Sequence, residues 1–252
     1  MPLKAIGVIP ARLGSTRLSQ KVLRPIGGKP MIYHVWHRVK QARLLSDLVV
    51  ACDDPSIEAC VRDFGGKAVM TRVDHPNGSS RVAEVAQRMD ADVIVNIQGD
   101  EPLIYPGNID AIVKAFQNDP AEQVVTLVIR KSDRKEYENP NVVKAVADDS
   151  GHALYFSRSP IPFFRDAGEG SFDYLKHIGI YGYRREFLLK FITWESSPLE
   201  KTEKLEQLRI LERGFRLKVV ETAHDSIGVD TEDDVTRVEQ ELKKQNTAAG
   251  SY

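Results

Sequence analysis

The chain has 252 residues, of which 42% are apolar and 28% charged, and its formal net charge is −1. This length supports a self-sufficient hydrophobic core, and 17 glycines with 13 prolines exclude a low-complexity or collagen-like chain. The balanced charge argues against a nucleic-acid-binding protein but permits a local basic site for a phosphorylated ligand. Since no apolar run reaches the roughly 20 residues of a membrane span, we expect a soluble, cytoplasmic protein.

Short apolar runs alternate with helical patterns through the first half of the chain. Unbroken runs rich in β-branched residues predict strands that are covered on both faces, at 5–9, 48–51, 67–70 and 93–97. Amphipathic patterns predict helices between and after them, starting near residue 30 and spanning 55–64, 80–89 and 108–116. This alternation predicts an α/β fold with a doubly wound, mostly parallel, Rossmann-like sheet.

The second half of the chain has more strands and fewer helices. Strands are predicted at 123–130, 142–147, 153–157, 174–184 and 216–220. One helix is predicted from Pro198 to Gly214, and a last one from about Thr231. The buried stripe expected on the first of these helices consists of Leu199, Leu205, Leu208, Ile210 and Leu211. We therefore predict one domain, with a smaller mixed-sheet lobe inserted at 119–215.

The loop after the first predicted strand is basic and rich in small residues. It carries Arg12, Arg17 and Lys21 and no acidic residue. Three cations with accessible backbone N–H groups suit a triphosphate. The loop lacks the glycine spacing of a dinucleotide-binding fingerprint or a P-loop. A solvated surface loop is the alternative interpretation.

Two aspartates are candidate metal ligands. Asp100 follows the fourth predicted strand, where ligands of open α/β sheets gather, and magnesium prefers one or two carboxylates together with phosphate oxygens. Asp230 lies just before the last predicted helix. The alternatives are a turn residue at Asp100 and an ordinary helix N-cap at Asp230.

Alternation along the strand at 174–184 places His177, Gly179, Tyr181 and Tyr183 on one face and Ile178 with Ile180 on the other. The first face offers a polar floor for a sugar, and a half-exposed strand is the alternative. Arg158 follows a strand and suits bidentate binding of a carboxylate; its alternative is a surface ion pair. Glu206 and Gln207 flank the buried stripe of their helix, which alone indicates a solvated face.

Seven segments, in order over about residues 4–240, resemble the sugar-acid cytidylyltransferases. The first segment, Ile9-Pro10-Ala11-Arg12 with Ser15-Thr16-Arg17-Leu18, continues through Lys21 to Gly28-Lys29-Pro30-Met31-Ile32. The second is Asn96-Ile97-Gln98-Gly99-Asp100-Glu101-Pro102-Leu103-Ile104. The others are Asn139 to Lys144, Ala153 to Arg158, His177 to Tyr181, Leu205 to Arg209 and Gly228 to Thr231. Within the family, the match is nearest to members that use 3-deoxy-D-manno-octulosonate (Kdo).

The resemblance implies a fold like that of the nucleotide-diphospho-sugar transferases. It implies transfer of CMP from CTP to the anomeric hydroxyl of Kdo, with pyrophosphate release, in lipopolysaccharide biosynthesis. Magnesium is the implied cofactor and a homodimer the implied assembly. The alternatives are the same reaction on 8-amino-Kdo or on a sialic acid, and a nucleotide-binding protein without turnover.

The resemblance also assigns roles to individual residues. Asp100 and Asp230 would hold magnesium and, with Lys21 and Arg12, form the catalytic set. The implied nucleotide-binding residues are Pro10, Ala11, Arg12, Ser15, Arg17, Lys21, Gly78, Ser79, Arg81, Gln98 and Asp100. The implied sugar-acid-binding residues are Gln98, Arg158, His177, Tyr181, Glu206 and Gln207.

Accordingly, we assign 1–118 and 216–246 to nucleotide and metal binding, 119–215 to sugar-acid binding and dimer contact, and 247–252 to a loose tail. Two departures from the family pattern stand out. Ser19-Gln20 replace the usual Pro-Gly before Lys21, and Ser79-Ser80 replace the usual Thr-acid pair before Arg81. The second departure leaves base selectivity an open question.

Overall fold

The computed structural model of the chain describes residues 3–14, 18, 20–165 and 172–249, without the side chains of 246–249. The strands are β1 (Ala5–Ala11), β2 (Pro25–Ile26), β3 (Lys29–Pro30), β4 (Asp47–Cys52), β5 (Ala68–Met70), β6 (Val93–Asn96), β7 (Val124–Lys131), β8 (Lys144–Ala147), β9 (Ala153–Ser157), β10 (Tyr174–Arg184) and β11 (Lys218–Glu221). The helices are α1 (Met31–Val39), α2 (Pro55–Asp63), α3 (Gly78–Gln87), α4 (Pro106–Asn118), α5 (Arg134–Glu138), α6 (Arg185–Phe191), α7 (Pro198–Glu203), α8 (Leu208–Glu212) and α9 (Glu232–Ala249).

The central sheet has the strand order β11-β7-β10-β6-β1-β4-β5. Strands β6, β1, β4 and β5 are parallel, as are β7 and β11, whereas β10 runs antiparallel to both β6 and β7. Two hydrophobic clusters cover the two faces of this sheet. The predicted doubly wound, mostly parallel α/β fold is therefore confirmed.

The reversed strand β10 determines what lies beside the ends of the parallel strands. Its second half pairs with β6, from Tyr181 opposite Asn96 to Arg184 opposite Val93. Its first half continues beyond the end of β6 and pairs with β8. The amino-terminal half of β10 therefore lies at the same sheet edge as the carboxyl ends of β1 and β6, where the candidate site forms.

The predicted lobe at 119–215 shares the central sheet. Both β7 and β10 are hydrogen-bonded members of that sheet, and the β8–β9 pair extends from β10. The two parts of the chain are thus joined by a continuous ladder of backbone hydrogen bonds. Within the described part of the chain, no helix is long and apolar enough to cross a membrane.

The single helix predicted from Pro198 to Gly214 is wrong. The structure has two short helices, α7 and α8, because Lys204 adopts a left-handed backbone conformation with φ of 55° and interrupts the helical hydrogen bonding. As a result, Leu205, Leu208 and Ile210 are buried, whereas Leu199 is 38% exposed.

The structure also extends the sequence-based description of helices. Helices α5 and α6 have no counterpart in that description. The last helix, α9, continues through Ala249, so residues 247–249 of the predicted loose tail are helical. The helical pattern simply persists beyond Lys244, and residues 250–252 lie outside the described part of the chain.

Candidate active site

A cleft of about 400 Å³ lies at the carboxyl ends of β1 and β6. It gathers most of the residues that the sequence predicted for nucleotide and metal binding. Those in its lining are Pro10, Ala11, Arg12, Lys21, Gly78, Arg81, Gln98, Asp100 and Asp230. Arg12 is exposed and offers its guanidinium to a ligand. The predicted residues Ser15 and Arg17 lie outside the described residues.

A close backbone approach brings the loop after β6 against the end of β1. A Cβ atom at Gly99 would lie 2.8 Å from the carbonyl oxygen of Pro10, so this position requires glycine. The next residue, Asp100, accepts a backbone hydrogen bond of 2.9 Å from Val229 N–H. This hydrogen bond places Asp230 beside Asp100 although 130 residues separate them in the sequence.

The ammonium group of Lys21 lies between the two predicted metal ligands. Its Nζ donates to Asp100 Oδ2 at 2.6 Å and to Asp230 Oδ1 at 2.8 Å. Burial by itself lowers the pKa of Lys21, but the hydrogen bonds and charges of the two aspartates outweigh burial and leave the pKa raised. Lys21 is therefore a fully charged cation held by two carboxylates.

Asp230 does not act as the N-cap of α9. Thr231 and Asp234 form the cap, because Thr231 Oγ1 accepts from Asp234 N–H at 3.3 Å while Asp234 Oδ2 accepts from Thr231 N–H at 3.0 Å. The carboxylate of Asp230 instead faces Lys21 in the cleft.

The donor set suits magnesium that arrives with phosphate. Asp100 Oδ2 and Asp230 Oδ1 already converge on one cationic group, the Lys21 ammonium. Among the described residues, no group of three or more His, Cys, Asp or Glu side chains is placed to hold a metal ion. A pair of carboxylates needs further oxygens from phosphate and water, which is how magnesium is usually bound in nucleotide sites.

Arg81 lines the cleft but is 3% exposed and holds other groups in place. Its guanidinium donates to Asp53 Oδ2 at 2.9 Å and to Thr71 Oγ1 at 2.6 Å. The other oxygen of Asp53 accepts from Leu13 N–H at 2.9 Å. Arg81 therefore fixes the first loop of the nucleotide site through Asp53.

Sequence reasoning assigned no site role to five residues of the lining, namely Val22, His75, Pro76, Asn77 and Gly99. The imidazole of His75 is held by Glu84 at 2.6 Å, and Asn77 caps α3 by accepting from Ser80 N–H at 2.9 Å. Asn77 was detectable, because asparagine is a preferred N-cap and stands just before a predicted helix. His75 gave no such local signal.

Gln98 joins the nucleotide cleft to β10. Its side-chain amide donates to the carbonyl of Gly179 at 2.9 Å. Among the described residues, a Cβ atom at Gly179 would have only Gln98 Cγ within 4 Å, at 3.9 Å, so this glycine borders open space. The backbone pairing of β10 with β7 shifts register between Ile178 and Tyr181, which leaves Gly179 out of the regular ladder.

A second cleft of about 1070 Å³ shares Asp230 with the first and is lined by His177 and Gly179. The Nε2 atom of His177 lies 3.0 Å from the hydroxyl of Thr126. Burial lowers the pKa of His177 to about 3, so its ring is neutral at physiological pH. His177 therefore offers the second cleft hydrogen bonding without a charge.

The remaining predicted sugar residues lie deeper, around α3 and α8. Glu206 accepts from the hydroxyl of Ser79 at 2.8 Å and from the guanidinium of Arg209 at 2.9 Å. Burial raises the pKa of the Glu206 carboxyl. Gln207 is 5% exposed, and in the described structure its Nε2 has no hydrogen-bond partner. Ser79, predicted to bind nucleotide, thus contacts the sugar-side residue Glu206.

Two further predicted sugar residues frame this region. Tyr181 lies on the same face of β10 as His177, with ring centroids 5.4 Å apart, and belongs to the sheet face opposite Ile178 and Ile180. Arg158 donates through Nε to the carbonyl of Glu203 at 2.8 Å and through Nη1 to that of Pro140 at 3.0 Å. Its guanidinium is held beside the 139–143 segment that helps to line the second cleft.

The chain is similar to known proteins over nearly its full length. The Cytidylyltransferase family matches residues 6–222. A 3-deoxy-manno-octulosonate cytidylyltransferase of Geobacter sulfurreducens is 50% identical, with 94% of this chain and 98% of the relative covered. The protein of the same name from Fusobacterium nucleatum subsp. nucleatum is 46% identical, with 97% and 99% covered.

Solved structures give the same picture. A CMP:2-keto-3-deoxy-manno-octonic acid synthetase complexed with CTP is 43% identical and superposes with a TM-score of 0.91, with 96% of this chain and 99% of that chain covered. The 4-diphosphocytidyl-2C-methyl-D-erythritol synthase of Anaerococcus prevotii is 11% identical with a TM-score of 0.66, over 96% and 100% of the chains. This second likeness concerns the fold alone.

Proposed function

Because the chain belongs to the cytidylyltransferase family, we propose that it transfers CMP from CTP to the anomeric hydroxyl of Kdo and releases pyrophosphate. The observation that carries this proposal is the cleft in which Arg12, Lys21, Asp100 and Asp230 meet. The near full-length similarity to proteins named for this reaction supports it. The product would serve lipopolysaccharide biosynthesis, and the predicted cytoplasmic location stays a prediction.

The reaction is an in-line displacement at the α-phosphorus of CTP. The bond from phosphorus to the anomeric oxygen forms as the bond to pyrophosphate breaks, the proton of the anomeric hydroxyl passes to water, and negative charge grows on the leaving group. The exposed guanidinium of Arg12 and the ammonium of Lys21, which both line the cleft, would neutralise that charge. Catalysis of this kind depends on positioning and electrostatic stabilisation.

Asp100 and Asp230 would hold the magnesium ion. Bound there, the ion would supply a Lewis acid that makes the sugar hydroxyl more acidic and offsets phosphate charge. The carboxylates contribute position and charge, and Gln98 fixes the floor beneath the sugar through the Gly179 carbonyl. His177, Tyr181 and the Arg158 guanidinium would orient the sugar acid from β10 and the neighbouring turn.

A homodimer fits the exposed apolar residues of the predicted lobe. Leu154 in β9 is 63% exposed and Phe163 is 85% exposed. Large exposed apolar side chains in one region are typical of protein interfaces. Light scattering of the wild type and of Leu154→Glu tests this part of the proposal; a mass of one chain for the wild type contradicts it.

Pyrophosphate release tests the reaction itself. The assay contains magnesium, one of the four nucleoside triphosphates, and Kdo, 8-amino-Kdo or a sialic acid. We expect release with CTP and Kdo that exceeds every other combination by about 100-fold, because wrong substrates leave buried polar groups unpaired. Higher turnover with 8-amino-Kdo would reassign the substrate, and no release with any pair would contradict the proposed reaction.

A further inference from the structure

The ammonium of Lys21 occupies the point at which the two predicted metal ligands converge. Its Nζ is 2.6 Å from Asp100 Oδ2 and 2.8 Å from Asp230 Oδ1. A magnesium–oxygen bond is about 2.1 Å long, so an ion on either of these oxygens would lie within about 5 Å of Nζ. At that separation, a divalent ion and the ammonium repel each other.

We propose that Lys21 is a tethered cation that competes with the divalent ion for Asp100 and Asp230 and makes metal binding depend on the nucleotide. This inference rests on the magnesium site of the proposed function. It concerns the order and coupling of metal and nucleotide binding, which that proposal leaves open.

The backbone of Lys21 is anchored, and its side chain ends in the cleft. Residues Lys21–Leu23 form one 3₁₀ turn, and Val22 is 6% exposed in the core. The lysine stem has four carbons and ends in a compact charge that no planar geometry restrains. Since the Lys21 side chain lines the same cleft as Arg12, a change of partner within that cleft requires rotation of the side chain alone.

A nucleoside triphosphate supplies what Lys21 needs to give up the two aspartates and what the metal ion needs to bind them. Its phosphate oxygens give the ammonium a new anionic partner and give the metal its missing ligands. Metal and nucleotide should then bind with positive coupling, and each raises the affinity of the other by the same factor. In the absence of nucleotide, Lys21 lowers the affinity of Asp100 and Asp230 for the metal ion.

The test measures Mn²⁺ binding by electron paramagnetic resonance, since free Mn²⁺ gives a signal that is lost on binding. In the absence of nucleotide, Lys21→Met should bind Mn²⁺ about 10-fold more tightly than the wild type, within the usual range of coupling between sites. Lys21→Gln is a second variant with the same expectation. Lys114→Met, which removes an exposed lysine from α4, controls for net charge and should match the wild type.

Adding Asp100→Asn to Lys21→Met should abolish the tighter Mn²⁺ binding, because it removes one of the two contested carboxylates. With Mn²⁺ saturating and no sugar acid, CTP should bind Lys21→Met more weakly than the wild type. The substitution should therefore raise the affinity for the metal ion and lower the affinity for the nucleotide. Equal or weaker Mn²⁺ binding by both Lys21 variants without nucleotide would overturn the inference. That measurement needs neither CTP nor Kdo, so it remains readable even if the proposed reaction fails.

Discussion

The proposed nucleotide side and the proposed sugar side of the site differ in how exposed their polar side chains are and in how these side chains hydrogen-bond to one another. On the nucleotide side, Arg12 is exposed and Asp100 and Asp230 are partly so, with side chains 36% and 47% exposed. On the sugar side, Glu206, with a side chain 27% exposed, hydrogen-bonds to the buried residues Ser79 and Arg209. On the first side, Arg12 is exposed and the two partly exposed aspartates share Lys21. On the second side, Glu206 hydrogen-bonds to two buried side chains.

This contrast has a consequence for mutagenesis. Removing a charge from the nucleotide side changes ligand binding with little effect on the core, because water solvates the remaining groups. Removing Glu206 or Arg209 takes away a charge-assisted hydrogen bond among largely buried groups and should lower stability as well. The two sides should therefore respond differently to equivalent substitutions.

The largest expected effect is on the nucleotide side. Asp100→Asn and Asp230→Asn should each lower turnover by about 100-fold or more while the fold is kept, since each removes a preorganised charge from the reacting phosphate. Pyrophosphate release and thermal unfolding measure the two properties. The control is Asp90→Asn, which removes an exposed carboxylate paired with Lys4. Near-normal turnover of either variant at limiting magnesium would exclude that residue as a ligand.

A smaller effect should appear on the sugar side as pH dependence. His177 has a folded-state pKa of about 3, below its usual value, so the unfolded chain binds more protons between about pH 6.5 and pH 3. The stability that comes from keeping His177 neutral is therefore fully present above about pH 6.5 and is lost as the pH falls towards 3. Between about pH 7 and pH 5, the wild type should lose about 1–2 kcal/mol more unfolding free energy than His177→Gln. Equal pH slopes in urea titrations would show that His177 is solvated.

The smallest effect concerns the first loop. Gln20 has φ of 49°, in the left-handed region, where the family usually has glycine. The left-handed conformation costs a residue with a Cβ atom about 1–2 kcal/mol of stability. Glycine avoids this cost but gives back about 0.5–1 kcal/mol, because it gains more conformational entropy in the unfolded chain. Gln20→Gly should therefore stabilise the fold by up to about 1 kcal/mol in urea unfolding. Destabilisation would mean that Gln20 makes contacts that outweigh its backbone strain.

The grouping of residues in the first cleft could be predicted because most of them come from short loops at strand ends. Asp100 lies in the loop after β6, and the sheet topology brings that loop to the end of β1. Helix interruption could not be predicted, because the left-handed conformation of Lys204 depends on how α7 and α8 pack. A leucine pattern alone favours one continuous helix.

The role of Ser79 shows a second limit of the sequence. The family resemblance implies a nucleotide contact for Ser79, and in the structure its hydroxyl donates to Glu206. Helical geometry alone does not tell which neighbour a side chain meets when the partner lies 127 residues away. By contrast, strand alternation in β10 correctly separated Ile178 and Ile180 from Tyr181 and Tyr183.

The central claim is that the sugar acid binds on the face of β10 that carries Gly179, beside the cleft that binds the nucleotide. Its most direct test is the binding of each ligand to Gly179→Val. A Cβ atom there has only Gln98 Cγ nearby, at 3.9 Å, and valine suits a strand, so stability should be kept. Calorimetry should show Kdo affinity lowered by about 10-fold or more and magnesium–CTP affinity within about twofold of the wild type, because valine fills only the space assigned to the sugar. Unchanged Kdo affinity, or an equal loss for both ligands, would contradict the placement of the sugar acid on β10.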